Sequence, residues 1–184
     1  MKFKIGEKET LYEGKFIKVR KTDFLDKEGK PQVWEYIEKN DVIAVLPITD
    51  DGKAVLVKNY RVPLEKYVIE TPAGLMDHAG EAHEEAIKRE LFEETGYTAE
   101  KLFSVPAFPY RSGTSANKIY GFIATGLKKV NDNVGDATED IEVVEVPLKD
   151  LTKLWLDPKD DSLFQPEIIA MYQAAIEMGI ALKA

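Results

Sequence analysis

The chain has 184 residues, enough for one well-formed core plus a small extension, and its 44% hydrophobic and 32% charged residues are those of an ordinary globular protein. A formal net charge of −8 argues against a nucleic-acid partner, and no apolar run approaches the roughly 20 residues a bilayer span needs. There is no cysteine for a disulfide framework or thiolate metal site and no apolar leader in residues 1–7, so the expected location is the cytoplasm.

Residues 15–25 alternate loosely between apolar and polar, residues 26–31 supply a turn, and residues 32–38 alternate again. This predicts an antiparallel β-hairpin inside an N-terminal extension of residues 1–40. Residues 42–48 and 54–57 are unbroken apolar runs on either side of the turn at 49–53, which predicts strands buried on both faces. A short strand near 67–70 leads into Thr71-Pro72-Ala73-Gly74, which cannot be helical. From about Glu81 to Thr95 the composition predicts a helix, with Gly96 placed as its stop. Strands are expected again near 102–105, 118–124 and 141–147, with a polar loop at 128–140. Pro166 opens a last helix whose apolar face carries Ile168, Met171, Tyr172 and Ala175. The implied class is α/β (α+β): residues 41–184 form a mixed sheet covered by helices, with the antiparallel β extension in front.

The predicted helix of residues 81–95 concentrates acid. Glu81, Glu84, Glu85, Glu90, Glu93 and Glu94 all lie on it or at its start. A helix brings i, i+3 and i+4 to one face, so Glu90, Glu93 and Glu94 crowd together, and like charges at that spacing repel. Hard divalent cations take carboxylate, carbonyl and water oxygens, so Mg²⁺, with Mn²⁺ as a substitute, is the natural occupant of such a face. Arg89, four residues before Glu93, is placed to pair with it. The bland alternative is a solvated, glutamate-rich surface helix.

The wider spacing decides against that alternative. Gly74, Glu81, Arg89-Glu90-Leu91, Glu93-Glu94 and Gly96-Tyr97 resemble the Nudix box, Gly-x5-Glu-x7-Arg-Glu-U-x-Glu-Glu-x-Gly-U with U a bulky apolar residue. From Glu81 onward every fixed position matches; six residues rather than five separate Gly74 from Glu81, an insertion in a loop. The segments Leu11-Tyr12-Glu13-Gly14-Lys15-Phe16, Asn59-Tyr60-Arg61 and Glu70-Thr71-Pro72-Ala73-Gly74, with the leading hairpin, resemble the ADP-ribose and nucleoside diphosphate sugar branch of that family.

The resemblance implies a Nudix-type α/β/α sandwich and a homodimer formed by exchange of the N-terminal hairpin domain. It implies metal ligation by the carbonyl of Ala73 and by Glu90 and Glu94, with Glu93 close by, and structural roles in the motif for Gly74, Glu81, Arg89 and Gly96. Glu139, in the late acidic loop, is the implied general base and Glu142 its reserve. Arg61 is the implied phosphate or ribose contact, since a guanidinium meets phosphate oxygens in a fork. Trp34 and Tyr36 are candidates to stack on a base, and Arg111 lies in a polar loop, Tyr110-Arg111-Ser112-Gly113-Thr114, suited to the terminal sugar. The implied reaction is metal-assisted hydrolysis of the diphosphate of a nucleoside diphosphate sugar, with ADP-ribose and GDP-mannose as leading substrates. Many ADP-ribose hydrolases carry a proline about 15 residues beyond the box, where this chain has Ser112 and Gly113. A Nudix enzyme acting on nucleoside triphosphates, and a non-catalytic nucleotide-sugar-sensing Nudix domain, are the alternatives.

Overall fold

In a computed structural model, residues 3–132, 140–158 and 160–181 are described. The chain divides into two compact units, residues 1–41 with 108–119 and residues 42–107 with 120–184.

The first unit is built on a three-stranded antiparallel sheet of β1 (Lys4–Glu13), β2 (Lys18–Leu25) and β3 (Pro31–Glu38), in that order. β2 and β3 are the hairpin arms expected from the alternation, joined by a turn in which Asp26 accepts from the backbone of Glu28 and Lys30 at 2.9 Å. β1 is a further strand, exposed along its whole length, so it offers no apolar pattern from which to predict it. Residues 108–119 join this unit although they lie far away in sequence: Ile37 bridges Ser115, and the Trp34 indole N–H donates to the Gly113 carbonyl at 3.0 Å.

The second unit contains two sheets. β4 (Val42–Pro47) lies between β7 (Ala73–Leu75) and β10 (Lys118–Lys129), and β8 (Tyr97–Ser104) completes that row; β9 (Phe108–Pro109), in the first unit, pairs with the first residues of β10. The other sheet runs β11 (Ile141–Pro147), β5 (Lys53–Arg61), β6 (Lys66–Glu70) and β12 (Leu163–Phe164), with β12 parallel to β6. β4 and β5 flank one tight turn yet belong to different sheets.

Both are buried on two faces, as their unbroken apolar runs require: residues 43–46 and 54–57 are 0–4% exposed. Side chains alternate across a strand. On β4, Ile43 and Val45 pack with Ala86, Ile87 and Leu91 of helix α1 (His83–Thr95), whereas Leu46 joins Ile168, Met171 and Ala175 of helix α3 (Glu167–Glu177). β10 repeats the device, with Phe122 and Ala124 in the α1 cluster and Ile123 in the other. Helices thus cover sheet on two sides, the expected α/β/α layering. A short helix α2 (Leu151–Leu156) adds Leu151 to the second cluster. Among the described residues no helix is long and apolar enough to cross a membrane.

Candidate active site

Helix α1 begins at His83, so Glu81 sits in the preceding loop rather than on the helix. The chain arrives there through Gly80 at φ 82° and an extended Ala82, a path that keeps Glu81 outside the helical register. The helix ends where the sequence places its stop. Gly96 adopts φ 69° and donates its N–H to the Phe92 carbonyl at 2.8 Å. A side chain is excluded there twice over, by the left-handed backbone and because a Cβ would stand 1.8 Å from the Asn131 carbonyl oxygen.

Arg89 organises the acidic face. Its Nε and Nη2 donate to the two oxygens of Glu81, both at 3.2 Å, and its Nη1 donates to Glu90 at 2.7 Å and Glu93 at 3.1 Å. One guanidinium therefore offsets much of the repulsion anticipated among these glutamates. The pairing holds the Glu81 carboxyl below its usual range and pushes the Arg89 guanidinium further above its own, with the Glu81 hydrogen bonds the largest cause of each. Glu93 is half-exposed and turned to Arg89, whereas Glu90 and Glu94 are mostly buried.

Both buried carboxylates meet the loop that precedes the helix. The Ala73 N–H donates to Glu94 Oε2 at 3.0 Å. Gly74 lies against Glu90 so closely that a Cβ would be 2.1 Å from the carboxyl carbon and from Oε1. The box glycine is thus a cradle for a carboxylate. Ala73 is also placed to turn its carbonyl the same way. Val45 donates to the Pro72 carbonyl, which makes Ala44 and Ala73 the neighbouring, non-hydrogen-bonded pair of the β4–β7 ladder. In such a pair both backbone groups point away from the partner strand, so the Ala73 carbonyl shares the outer edge with its N–H and with Glu94.

Two carboxylates and a backbone carbonyl form a hard-oxygen donor set of the kind Mg²⁺ takes, with its remaining positions left to water and substrate phosphates. The residues present fit a divalent cation. Among the described residues no group of three His, Cys, Asp or Glu side chains is arranged to hold a metal, in keeping with Glu93 being turned to Arg89.

Gly74→Ala tests the cradle. The carboxyl end of Glu90 would have to retreat about an ångström, and a displacement of that size at a reacting centre costs about 10²-fold in rate. We expect kcat to fall by about that factor while the thermal midpoint stays nearly unchanged, because the displaced atoms end a flexible side chain; kinetics and a melting curve on one preparation check both.

Arg61 ends β5, and its side chain is nearly half-exposed. It grips Glu70, the last residue of β6, with Nε at 3.1 and 2.9 Å from the two oxygens and Nη2 also on Oε2. Glu70 is 5% exposed; burial pushes its carboxyl up while Arg61 pulls it down. Its signal in the sequence is a carboxylate closing the apolar strand Val68-Ile69, a local pattern that does not single it out. Glu142 is an exposed residue of β11 opposite Lys58 of β5. Glu139 lies outside the described residues; its neighbour Asp140 accepts from the Tyr67 hydroxyl at 2.6 Å.

The remaining candidates belong to the first unit. Trp34 and Tyr36 line one cavity there, about 310 Å³ in volume, with Phe24 and residues 112–116. Tyr36 buries a hydroxyl that has no hydrogen-bond partner among the described residues. Arg111 lies over the Tyr110 ring at 6.0 Å, and its carbonyl accepts from Thr114 and Ser115 in a turn.

Comparison with known proteins places this arrangement. Residues 38–168 match the NUDIX domain family. The chain is 38% identical over 148 residues to the ADP-ribose pyrophosphatase of Bacillus subtilis (strain 168), covering 80% of each chain. It is 30% identical over 197 residues to the ADP-sugar pyrophosphatase of Mus musculus, covering 97% of this chain and 87% of the relative. The crystal structure of an ADP compounds hydrolase superposes with a TM-score of 0.81 at 25% identity, covering 98% of each chain. With the box spacing, the glycine cradle and the layered fold in agreement with these likenesses, the chain belongs to the Nudix hydrolase family.

Proposed function

We propose that the chain hydrolyses the diphosphate bond of a nucleoside diphosphate sugar, with ADP-ribose the leading substrate, to a nucleoside monophosphate and a sugar phosphate. The observation that carries this reading is the joint seating of Glu90 and Glu94 on the Ala73–Gly74 loop, which gathers hard oxygen donors at one edge. The names of the two pyrophosphatase relatives support the choice of a diphosphate substrate.

Glu90, Glu94 and the Ala73 carbonyl would hold Mg²⁺, with Mn²⁺ as a substitute and Glu93 as an outer contact. When bound, the ion would neutralise diphosphate charge and make water easier to deprotonate. Glu139 takes the proton from the attacking water, with Glu142 the reserve. Arg61 pairs with a phosphate oxygen, Trp34 and Tyr36 take the face of the base, and Arg111 contacts the terminal sugar.

The test is a panel of ADP-ribose, GDP-mannose, UDP-glucose and nucleoside triphosphates, assayed with Mg²⁺ and with products identified. The diphosphate sugars should show the higher kcat/KM, the ratio that defines specificity. A clear preference for triphosphates would refute the substrate class and leave the family chemistry standing.

A homodimer built through residues 1–40 is part of the same reading. The first unit exposes Phe3, Ile5, Tyr12, Phe16, Val33 and Trp34, each between 49% and 78% accessible. Large apolar side chains left this accessible on one small unit support burial against a second copy. Light scattering at micromolar concentration should return the dimer mass; a monomer would count directly against it.

A further inference from the structure

Arg61 and Glu70 are not ladder partners. In the β5–β6 register Arg61 stands opposite Lys66, and Glu70 opposite Val57, four residues back along β5. Residues 57, 59 and 61 share a face, so the Arg61 side chain runs back along its own strand, over the Asn59 position, to reach Glu70. The fork uses the Nε–Nη2 edge, which fixes the plane of the guanidinium and turns its other edge away from Glu70. A buried carboxylate is costly to keep, and Glu70 leads through Thr71 and Pro72 directly into Ala73 and Gly74, the loop that seats the two box carboxylates.

We infer that Glu70 is a positioning residue: it draws Arg61 back from the end of β5 to the mouth of the 73–74 loop and orients its outward edge toward a phosphate of the substrate. This rests on the diphosphate reading above. Glu70 does not touch the substrate; it sets where the guanidinium stands.

The experiment is steady-state kinetics on Glu70→Gln, Arg61→Ala and the double variant, with melting curves and a Mg²⁺ titration of rate. A hydrogen bond to a charged group, once weakened, corresponds to about a tenfold change in affinity. Glu70→Gln should therefore raise KM about tenfold, change kcat less, and leave the Mg²⁺ dependence as in the wild type. Arg61→Ala should raise KM at least as far, and adding Glu70→Gln to it should change nothing more, because the two act as one unit. Glu70→Asp withdraws the carboxylate by one methylene, should raise KM as well, and serves if the glutamine variant does not fold. A lowered melting temperature with wild-type KM would make the pair merely structural and overturn the inference, as would effects that multiply in the double variant. Failure of the substrate reading would appear in the wild-type panel instead, and the KM comparison would then be made on whichever nucleotide the wild type cleaves.

Discussion

Glu94→Gln and Glu90→Gln are each expected to leave the fold intact and lower kcat by about 10³-fold, since a bound cation contributes several kcal/mol of charge stabilisation and each 1.4 kcal/mol or so is tenfold in rate. The fold survives for reasons visible in the structure. A glutamine at position 94 keeps an oxygen able to accept from the Ala73 N–H, the bond that ties α1 to the loop. At position 90 the substitution removes one of three carboxylates facing Arg89, and the fork to Glu81 still anchors that guanidinium. What each variant loses is charge and donor strength, because a neutral amide is a poor ligand for Mg²⁺. The check is kcat beside a melting curve and a Mg²⁺ titration. Near-normal turnover in both variants would sink the assignment of the metal site.

Glu139→Gln is expected to retain substrate binding and lower kcat by about 10²–10⁴-fold, the range for loss of a general base. Glu142→Gln should do little. Glu142 is fixed in a strand ladder opposite Lys58, and its charge helps to hold the Lys58 ammonium above its usual range after the larger contribution from Asp160. That placement gives the Glu142 charge a cationic neighbour in Lys58. Glu139 precedes Asp140, whose hydrogen bonds from the Tyr67 hydroxyl and the Tyr60 N–H tie the end of the acidic loop to β5 and β6. Arg61 and Glu70 end those same two strands. Measuring kcat and KM for both variants separates the roles. A large kcat loss in Glu142→Gln with a benign Glu139→Gln would reverse them.

Legibility followed the range of the forces involved. The helix, its acidic face and its Gly96 stop were readable because they depend on spacings of three and four residues and on one backbone conformation. Strands β4 and β5 were readable as doubly buried because an unbroken apolar run has no solvent side to mark. Glu81 was expected at the start of the helix and stands before it. Its role comes from the reach of Arg89 across eight residues, which helical spacing does not encode.

The sequence by itself determined where the acid concentrates, where the helix stops at Gly96, and which family the spacing resembles. Only the tertiary structure decided the partners. It sent β4 and β5 into separate sheets, added the exposed strand β1 and residues 108–119 to the first unit, turned Glu93 to Arg89, and folded Arg61 back onto Glu70. These choices depend on surfaces that meet only when distant segments pack, where burial and desolvation set the energies, and no local pattern of residues records them.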